Sequence, residues 1–377
     1  MRNKTRIGIV GCGFMGKVHN DALRRIPQVE IKAVVDERSN VAERFADMYD
    51  IPLIYKTYTD MLDSGEVDAI HNCTPNFLHY EVNKKALEKG IYVVSEKPLA
   101  LNYKQAKELA DLSVKKHIPT AVGFGYRFFP LIQTIKEMIK KGDLGEIWLV
   151  KGEYLQDWLF YKEDYNWRLE KKISGESRAF ADIGSHLCDT IEFVTDKKIK
   201  SLTADISTIH KTRLKPKEEA ITFAKSRGES EYVAVDTEDY ASVLGHLEDN
   251  IKGVFTVSQV SAGKKNGLKI EIYGSKASVI WEQEKPNQMW IGHRNEANEI
   301  LLKDPSLMPE SARSYATLPG GHNEGYNDAF RALFADYYKC VNGKSSENIP
   351  DFVSGYRQLL VTDAVLKSNR TKSWVEV

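Results

Sequence analysis

Arg6-Ile7-Gly8-Ile9-Val10 runs straight into Gly11-Cys12-Gly13-Phe14-Met15-Gly16, and a helical pattern follows over residues 15–25. A β-branched run, a G-x-G-x-x-G turn and a helix, in that order, form the entry to a dinucleotide-binding sheet. Gly11 permits the tight turn, Gly13 lets the backbone approach a pyrophosphate, and Gly16 lets the helix pack closely on the strand. The helix N-terminus then presents unpaired N–H groups and a positive dipole end to the phosphates. Gly11, Gly13, Phe14, Met15 and Gly16 are the first candidate cofactor residues. A second test is an acid at the end of the next strand. Asp36 stands there, twenty residues after Gly16, behind the run at 31–35. A carboxylate in that place accepts hydrogen bonds from ribose hydroxyls and repels a 2′-phosphate, which favours NAD over NADP. Arg38 lies close by, suited to the adenine or to a 2′-phosphate, and pulls the other way.

Outward from this turn, the first third of the chain alternates short strands with helices. Strands are expected at 6–10, 31–35, 68–73, 92–95 and 120–123, and helices at 15–25, 41–49, 78–89 and 103–116. Such alternation implies parallel pairing through right-handed crossovers. After about residue 124 the rhythm changes. A helix over 131–141 leads to a long strand at 146–156, and another helix is expected at 183–194. From 201 to 302 strands dominate, with hairpin signals at Glu248-Asp249-Asn250 and Gly274-Ser275-Lys276. Helices at 323–341 and 353–368 finish the chain, and the polar segment 211–231 reads as a surface insertion. The fold expected is α/β. An N-terminal Rossmann domain, residues 1–124, carries a doubly wound parallel sheet. A second α/β domain, residues 125–377, carries a large, mostly antiparallel open sheet.

The composition narrows the partners. The 377 residues hold 53 basic and 53 acidic side chains, so net charge gives no reason to bind nucleic acid or an anionic membrane. Cys12, Cys73, Cys188 and Cys340 are scattered without a C-x-x-C pair, which suggests neither a disulfide framework nor a zinc site. No metal is expected. No apolar run approaches the roughly 18 residues of a membrane span. Free thiols and the lack of a signal-like N-terminus make a cytoplasmic location the expectation.

At Ser95-Glu96-Lys97-Pro98-Leu99-Ala100 the sequence becomes more particular. Glu-Lys-Pro after this strand resembles a signature of the glucose–fructose oxidoreductase / inositol dehydrogenase / rhizopine catabolism (Gfo/Idh/MocA) family. Thr74-Pro75-Asn76 with His79 resembles the family's turn beside the nicotinamide half of the cofactor. Gly123-Phe124-Gly125-Tyr126-Arg127 resembles its segment entering the second domain, with Tyr126 where many members have Asn. Asp182-Ile183-Gly184-Ser185-His186, followed by Asp189, resembles its D-x-x-x-H catalytic motif. The resemblance spans nearly the whole chain. It implies that Thr74, Pro75, Asn76, His79, Glu96, Lys97 and Arg127 serve the cofactor. It also implies oxidation or reduction of a sugar, polyol or related carbonyl compound, and a homodimer or homotetramer formed through the C-terminal sheet.

The chemistry of the residues is compatible. Alcohol oxidation by NAD needs a base for the hydroxyl proton while hydride leaves carbon. No zinc-ligand cluster is visible, so side chains must do this work. An imidazole titrates at about 6.5 and suits a proton shuttle, which points to His186. Asp182 and His186 are four residues apart and share a face on one helix turn. Asp182 can orient Lys97, His186 or both. Lys97 can hydrogen-bond the substrate oxygen and stabilise developing negative charge. Tyr154, Trp158, Trp167 and Arg168, within a stretch dense in aromatic and polar side chains, suit the apolar faces and polar edges of a sugar ring. Core packing or a dimer contact is the competing reading of that stretch. His322, in Gly320-Gly321-His322-Asn323, is a further candidate substrate contact or a helix-capping residue. The leading expectation is an NAD-dependent sugar or polyol dehydrogenase or reductase acting through Lys97, Asp182 and His186. Two alternatives use the same features: a glycoside-cleaving enzyme that oxidises transiently with NAD, and a non-catalytic NAD-binding sensor.

Overall fold

The structure is a computed structural model and describes residues 4–217 and 229–377. Near-continuous apolar runs form its first sheet. Ile7, Ile9, Ala33, Val34, Ala69, Ile70, Val93 and Val94 are all buried completely. Strands covered on both faces need such runs rather than alternation. Six strands pair in parallel: β1 (Thr5–Val10), β2 (Val29–Val35), β3 (Leu53–Tyr55), β4 (Ala69–Asn72), β5 (Tyr92–Ser95) and β6 (Thr120–Val122). Their spatial order is β3-β2-β1-β4-β5-β6. The order reverses between β1 and β4, which is where doubly wound sheets bind ligands at their carboxyl ends. The helices here are α1 (Phe14–Leu23), α2 (Ser39–Tyr49), α3 (Tyr58–Asp63), α4 (Asn76–Glu88) and α5 (Tyr103–Lys116). β3 and α3 were not expected, because three and six residues are too short to show a period.

The next stretch contains α6 (Pro130–Lys141), β7 (Ile147–Leu155), α7 (Lys171–Ser174) and α8 (Ser185–Thr195). β8 (Ile199–Ser207), β9 (Thr212–Pro216), β10 (Ser230–Ala234), β11 (Tyr240–Leu247) and β12 (Lys252–Ser258) follow. Then come β13 (Gly267–Gly274), β14 (Ser278–Glu282), β15 (Gln288–Gly292), β16 (Glu299–Leu302) and α9 (Glu310–Arg313). Nine strands, completed by β17 (Val375–Glu376), run in the order β16-β15-β14-β13-β7-β12-β11-β8-β17. Every pair is antiparallel except β7 with β12. One face packs on α6 and α8, burying Val150, Phe255, Ile270, Ile272, Val279 and Trp281. Among the described residues β9 and β10 pair with each other in a separate two-stranded sheet. The reading of 211–231 as a surface insertion therefore needs correction at its base. Arg213 on β9 is fully buried, held inward by Asp239. Residues 218–228 of that segment lie outside the described residues.

The last two helices are α10 (Tyr326–Val341) and α11 (Phe352–Thr371). The chain divides into two compact units. The first is Met1–Gly125 with Tyr326–Leu359, and the second is Tyr126–Gly325 with Leu360–Val377. The expected boundary at 124 falls beside the observed one, but the second domain is not the contiguous segment 125–377. The reason is apolar. α10 packs on α1, with Phe330 and Phe334 against the His19 ring, and the carbonyl of Pro350 takes the Val122 N–H at 2.7 Å. Among the described residues no helix is long and apolar enough to cross a membrane.

Candidate active site

In the first unit the candidate cofactor residues follow the carboxyl ends of β1, β2, β4 and β5. Gly11 has φ +95°, and a Cβ on it would meet the Cys73 carbonyl oxygen at 2.7 Å. A Cβ on Gly16 would sit 2.3 Å from the Gly11 carbonyl oxygen, so α1 can approach β1 only with glycine there. A Cβ on Gly13 would meet nothing within 4 Å, so the backbone is open on that side. Gly13 also N-caps α1 without any side-chain hydrogen bond, and the first turn of α1 holds no acid. This open glycine and uncapped helix start fit a dinucleotide pyrophosphate. Phe14 is half exposed, and Met15 takes a weak bond from the Tyr326 hydroxyl through its sulfur at 3.8 Å.

Asp36 is tied to this turn. Its Oδ2 accepts the Cys12 N–H at 2.9 Å, and its Oδ1 accepts the backbone N–H and Nε of exposed Arg38 at 3.1 and 3.2 Å. Burial pushes the Cys12 thiol up to about 12, and the Asp36 charge adds to the rise. At the end of β4, Asn72 Oδ1 accepts both the N–H and hydroxyl of Thr74, at 3.3 and 2.7 Å. Pro75 N-caps α4 and Asn76 opens it. His79 lies deeper than its expected cofactor role implies. It is fully buried, with Nδ1 2.6 Å from the Pro98 carbonyl and Nε2 2.8 Å from the Thr74 carbonyl. It thereby braces the Thr74 turn against the Glu96-Lys97-Pro98 turn.

Glu96 also turns inward. Its Oε1 lies 3.1 Å from His19 Nε2, and its Oε2 takes the Lys97 N–H at 3.3 Å. His19 Nδ1 meets His71 Nδ1 at 2.9 Å, and His71 Nε2 meets the Tyr338 hydroxyl at 2.8 Å. Burial, reinforced by His19, holds His71 well below the usual imidazole range. One tautomer set satisfies the chain: Tyr338 donates to neutral His71, His71 to His19, and His19 to the Glu96 carboxylate. Glu96 therefore supports the backbone of half-buried Lys97 from within.

In the second unit the other candidates gather around α8. Asp182 lies in a π-helical turn, Phe180–Gly184, that leads directly into α8, where His186 is the second residue. Sequence periodicity predicts a single helix over 183–194. The wider turn at its start is the difference, and such turns are frequent at functional sites. Asp182 Oδ2 accepts Gln259 Nε2 at 2.8 Å, and Oδ1 lies 3.6 Å from Arg168 Nε. The His186 ring stands edge-on to Tyr126, centroids 5.0 Å apart, and tilted to Tyr154 at 6.4 Å. The Tyr126 and Tyr154 hydroxyls are 2.6 Å apart. Asn266 receives the Tyr154 hydroxyl and Gln156 Nε2 at 2.6 and 3.0 Å, and donates to Tyr126 at 3.1 Å. Trp158 Nε1 donates to Gln156 at 2.8 Å. Burial pushes the Tyr126 phenol up to about 12 despite its bonds to Tyr154 and Asn266, so it stays protonated at neutral pH.

Tyr154, Trp158, Arg168, Asp182 and His186 thus share one cluster, and Trp167 joins it by stacking under the Arg168 guanidinium at 4.4 Å. Two candidates are engaged apart from this cluster, Arg127 with Asp189 further along α8 and His322 in its own turn. Arg127 is buried in the second unit, clamped by Nε and Nη2 to both oxygens of Asp189 and lying over the Phe193 ring, so its guanidinium is committed to a structural pair. His322 is exposed, with Nδ1 3.3 Å from the carbonyl of Gly320 in its own turn. Gln156, Tyr126, Asn266 and Gln259 belong to the cluster without having been singled out as site residues. The polar side chains just past β12 were the available signal. Among the described residues no group of three or more His, Cys, Asp and Glu could hold a metal ion.

A dinucleotide turn in a six-stranded parallel unit, in a chain whose other unit carries an acid and an imidazole one turn apart, defines a nicotinamide-dependent oxidoreductase. Residues 5–124 match the family model described as oxidoreductase family, NAD-binding Rossmann fold, and residues 132–280 match the GFO/IDH/MocA C-terminal domain. The chain belongs to the Gfo/Idh/MocA oxidoreductases. It is 26% identical to a levoglucosan dehydrogenase of Pseudarthrobacter phenanthrenivorans, over 98% of this chain and 97% of that protein. It is 25% identical to glucose-6-phosphate 3-dehydrogenase of Bacillus subtilis, over 93% of each. A levoglucosan dehydrogenase structure in complex with NADH and L-sorbose superposes with a TM-score of 0.90, at 25% identity and 99% coverage of both chains.

Proposed function

We propose that the protein oxidises a secondary alcohol of a sugar or polyol with NAD, or reduces the corresponding ketone. The observation that carries this is the cluster at α8. An acid and an imidazole stand one turn apart beside aromatic rings and amides, a lining that suits a ring with C–H faces and hydroxyl edges. The relatives named for sugar dehydrogenation support the substrate class. Bound NAD supplies the hydride acceptor. His186 takes the hydroxyl proton, and Asp182 orients it. Lys97 donates to the substrate oxygen and stabilises its growing negative charge. Tyr154, Trp158, Trp167 and Arg168 line the sugar, and His322 is assigned to a distal hydroxyl. We also assign the outer face of the nine-stranded sheet to a homodimer or homotetramer contact.

The test is purified protein with NAD and a panel of hexoses, inositols and anhydrosugars, read by NADH absorbance. At least one sugar should turn over, and a Lys97→Ala/His186→Ala double variant should lose activity by about 10³-fold or more. Full activity in that variant would overturn the residue roles. Release of an aglycone without net NADH would replace net oxidation with transient oxidation.

A further inference from the structure

We propose that Gln259 and Arg178 are positioning residues that hold Asp182 as an oriented carboxylate, a role that rests on the function assigned to Asp182 above. The Arg178 side chain is completely buried. Its Nε donates to the Thr237 hydroxyl at 3.2 Å, its Nη2 to Asp239, and its Nη1 to Gln259 Oε1 at 2.7 Å. A guanidinium has donors and no acceptor, so the Gln259 atom it meets must be the amide oxygen. The direction of that amide is therefore set by charge. The NH2 end points away from Arg178, and there it donates to Asp182 Oδ2 at 2.8 Å. Asp182 thus faces a donor that cannot turn round and accept. Such a neighbour favours carboxylate over carboxylic acid.

The chain is anchored further back by two consecutive acids. Asp239 takes Arg178 and Arg213, the latter at 2.8 Å, and accepts the N–H groups of Ile209 and His210 at 2.8 and 3.0 Å. Glu238 accepts the backbone N–H of Arg178 and of Phe180, at 3.0 and 2.9 Å, and the Ser177 hydroxyl at 2.7 Å. One acid fixes the backbone entering the π-turn, and the next fixes the side chain that orients Gln259. Burying two guanidiniums and two carboxylates is costly, and apolar residues of equal volume would pack as well. Specifying the direction of one amide is a purpose those apolar residues would not serve. Among the other charged and titratable groups of the described residues, Arg168 lies 3.6 Å from the opposite oxygen of Asp182, the Tyr126 phenol feels the Asp182 charge, and His186 follows one turn on.

The experiment compares Gln259→Leu, Gln259→Glu and Asp182→Ala, singly and combined, in pH profiles of kcat/KM for a turned-over sugar. Gln259→Leu removes the donor. It should lower kcat about tenfold, the scale of one hydrogen bond to a charged group, and move the acid limb to higher pH. Gln259→Glu keeps the shape, so it guards against a folding failure in the leucine variant. It places a second carboxylate against Asp182 and should move the acid limb further up. In the Asp182→Ala background, Gln259→Leu should cost nothing more, because Gln259 acts through Asp182. Unchanged kcat and acid limb in both Gln259 variants would overturn the inference while leaving Asp182 in place. Additive losses in the double variant would overturn it equally. Full activity in Asp182→Ala would instead remove the reading on which it stands.

Discussion

At Gly13 an added Cβ would meet open space, whereas at Gly16 it would press against the Gly11 carbonyl oxygen at 2.3 Å. The two positions should therefore respond differently. Gly13→Ala is expected to melt like the parent yet bind NAD about tenfold or more weakly, because the methyl occupies the side from which a pyrophosphate approaches. Gly16→Ala is expected to lower the melting temperature as well. Calorimetry and NAD titration together separate these outcomes. The neighbouring Cys12 predicts a response to alkali. Its thiol is raised from 9.0 to about 12 in the folded chain, so the native state keeps a proton that the unfolded state releases. That contribution is whole below pH 9 and is lost as pH rises towards 12. Urea unfolding should show the parent losing on the order of 1 kcal/mol per pH unit more than Cys12→Ala between pH 9 and 11. Equal slopes would count against the shift.

The connection from β16 to α10 contains the glycine-rich turn around His322, which its composition suggests is loose. Its far end is not. Glu324 is buried against Lys303 at 2.8 Å and accepts the Thr317 N–H and hydroxyl. Lys303→Met would strand that carboxylate and should destabilise the protein by about 3 kcal/mol, measured by denaturant unfolding. Sequence windows read elements of this kind unevenly. β5 and α5 fall on their expected bounds because turn-forming residues flank strongly patterned runs. The pair Asp182 and His186 was legible because its four-residue spacing lies inside one turn. The π-turn beneath it was not, since the carboxylate gripping its backbone comes from Glu238, 58 residues from Phe180. Gln259 and Arg178 escaped for the same reason. A side-chain hydrogen bond joins them across 81 residues, and no local period records it.

On the scale of the whole molecule, the outer face of the large sheet carries the clearest expectation. Leu244, Val254, Lys151, Glu271, Ile280, Trp290 and Ile300 are direct register partners across seven strands. The row ends in apolar residues on both sides, with Leu244 51% and Ile300 55% exposed. Exposed apolar ends of this kind are what the oligomer contact proposed above would use. Trp290→Asp/Ile300→Asp is expected to convert an oligomer to a monomer in size-exclusion chromatography with light scattering, with the melting curve still cooperative. A parent chain that is monomeric at micromolar concentration would refute the assignment.

The return of α10 and the start of α11 to the first unit has a consequence for how the protein is made. A ribosome releases β1 to β6 early, yet the His71–Tyr338 bond that helps close their unit joins residues 267 positions apart. The second unit waits as long, because β17 must still pair with β8. Neither half can finish before its late share of the chain, Tyr326–Leu359 or Leu360–Val377, has left the exit tunnel. The nascent Rossmann sheet must meanwhile carry an uncovered α1, whose apolar side is open to chaperones, to neighbouring chains or to proteases. Cutting the gene at the apparent domain border would make that transient exposure permanent.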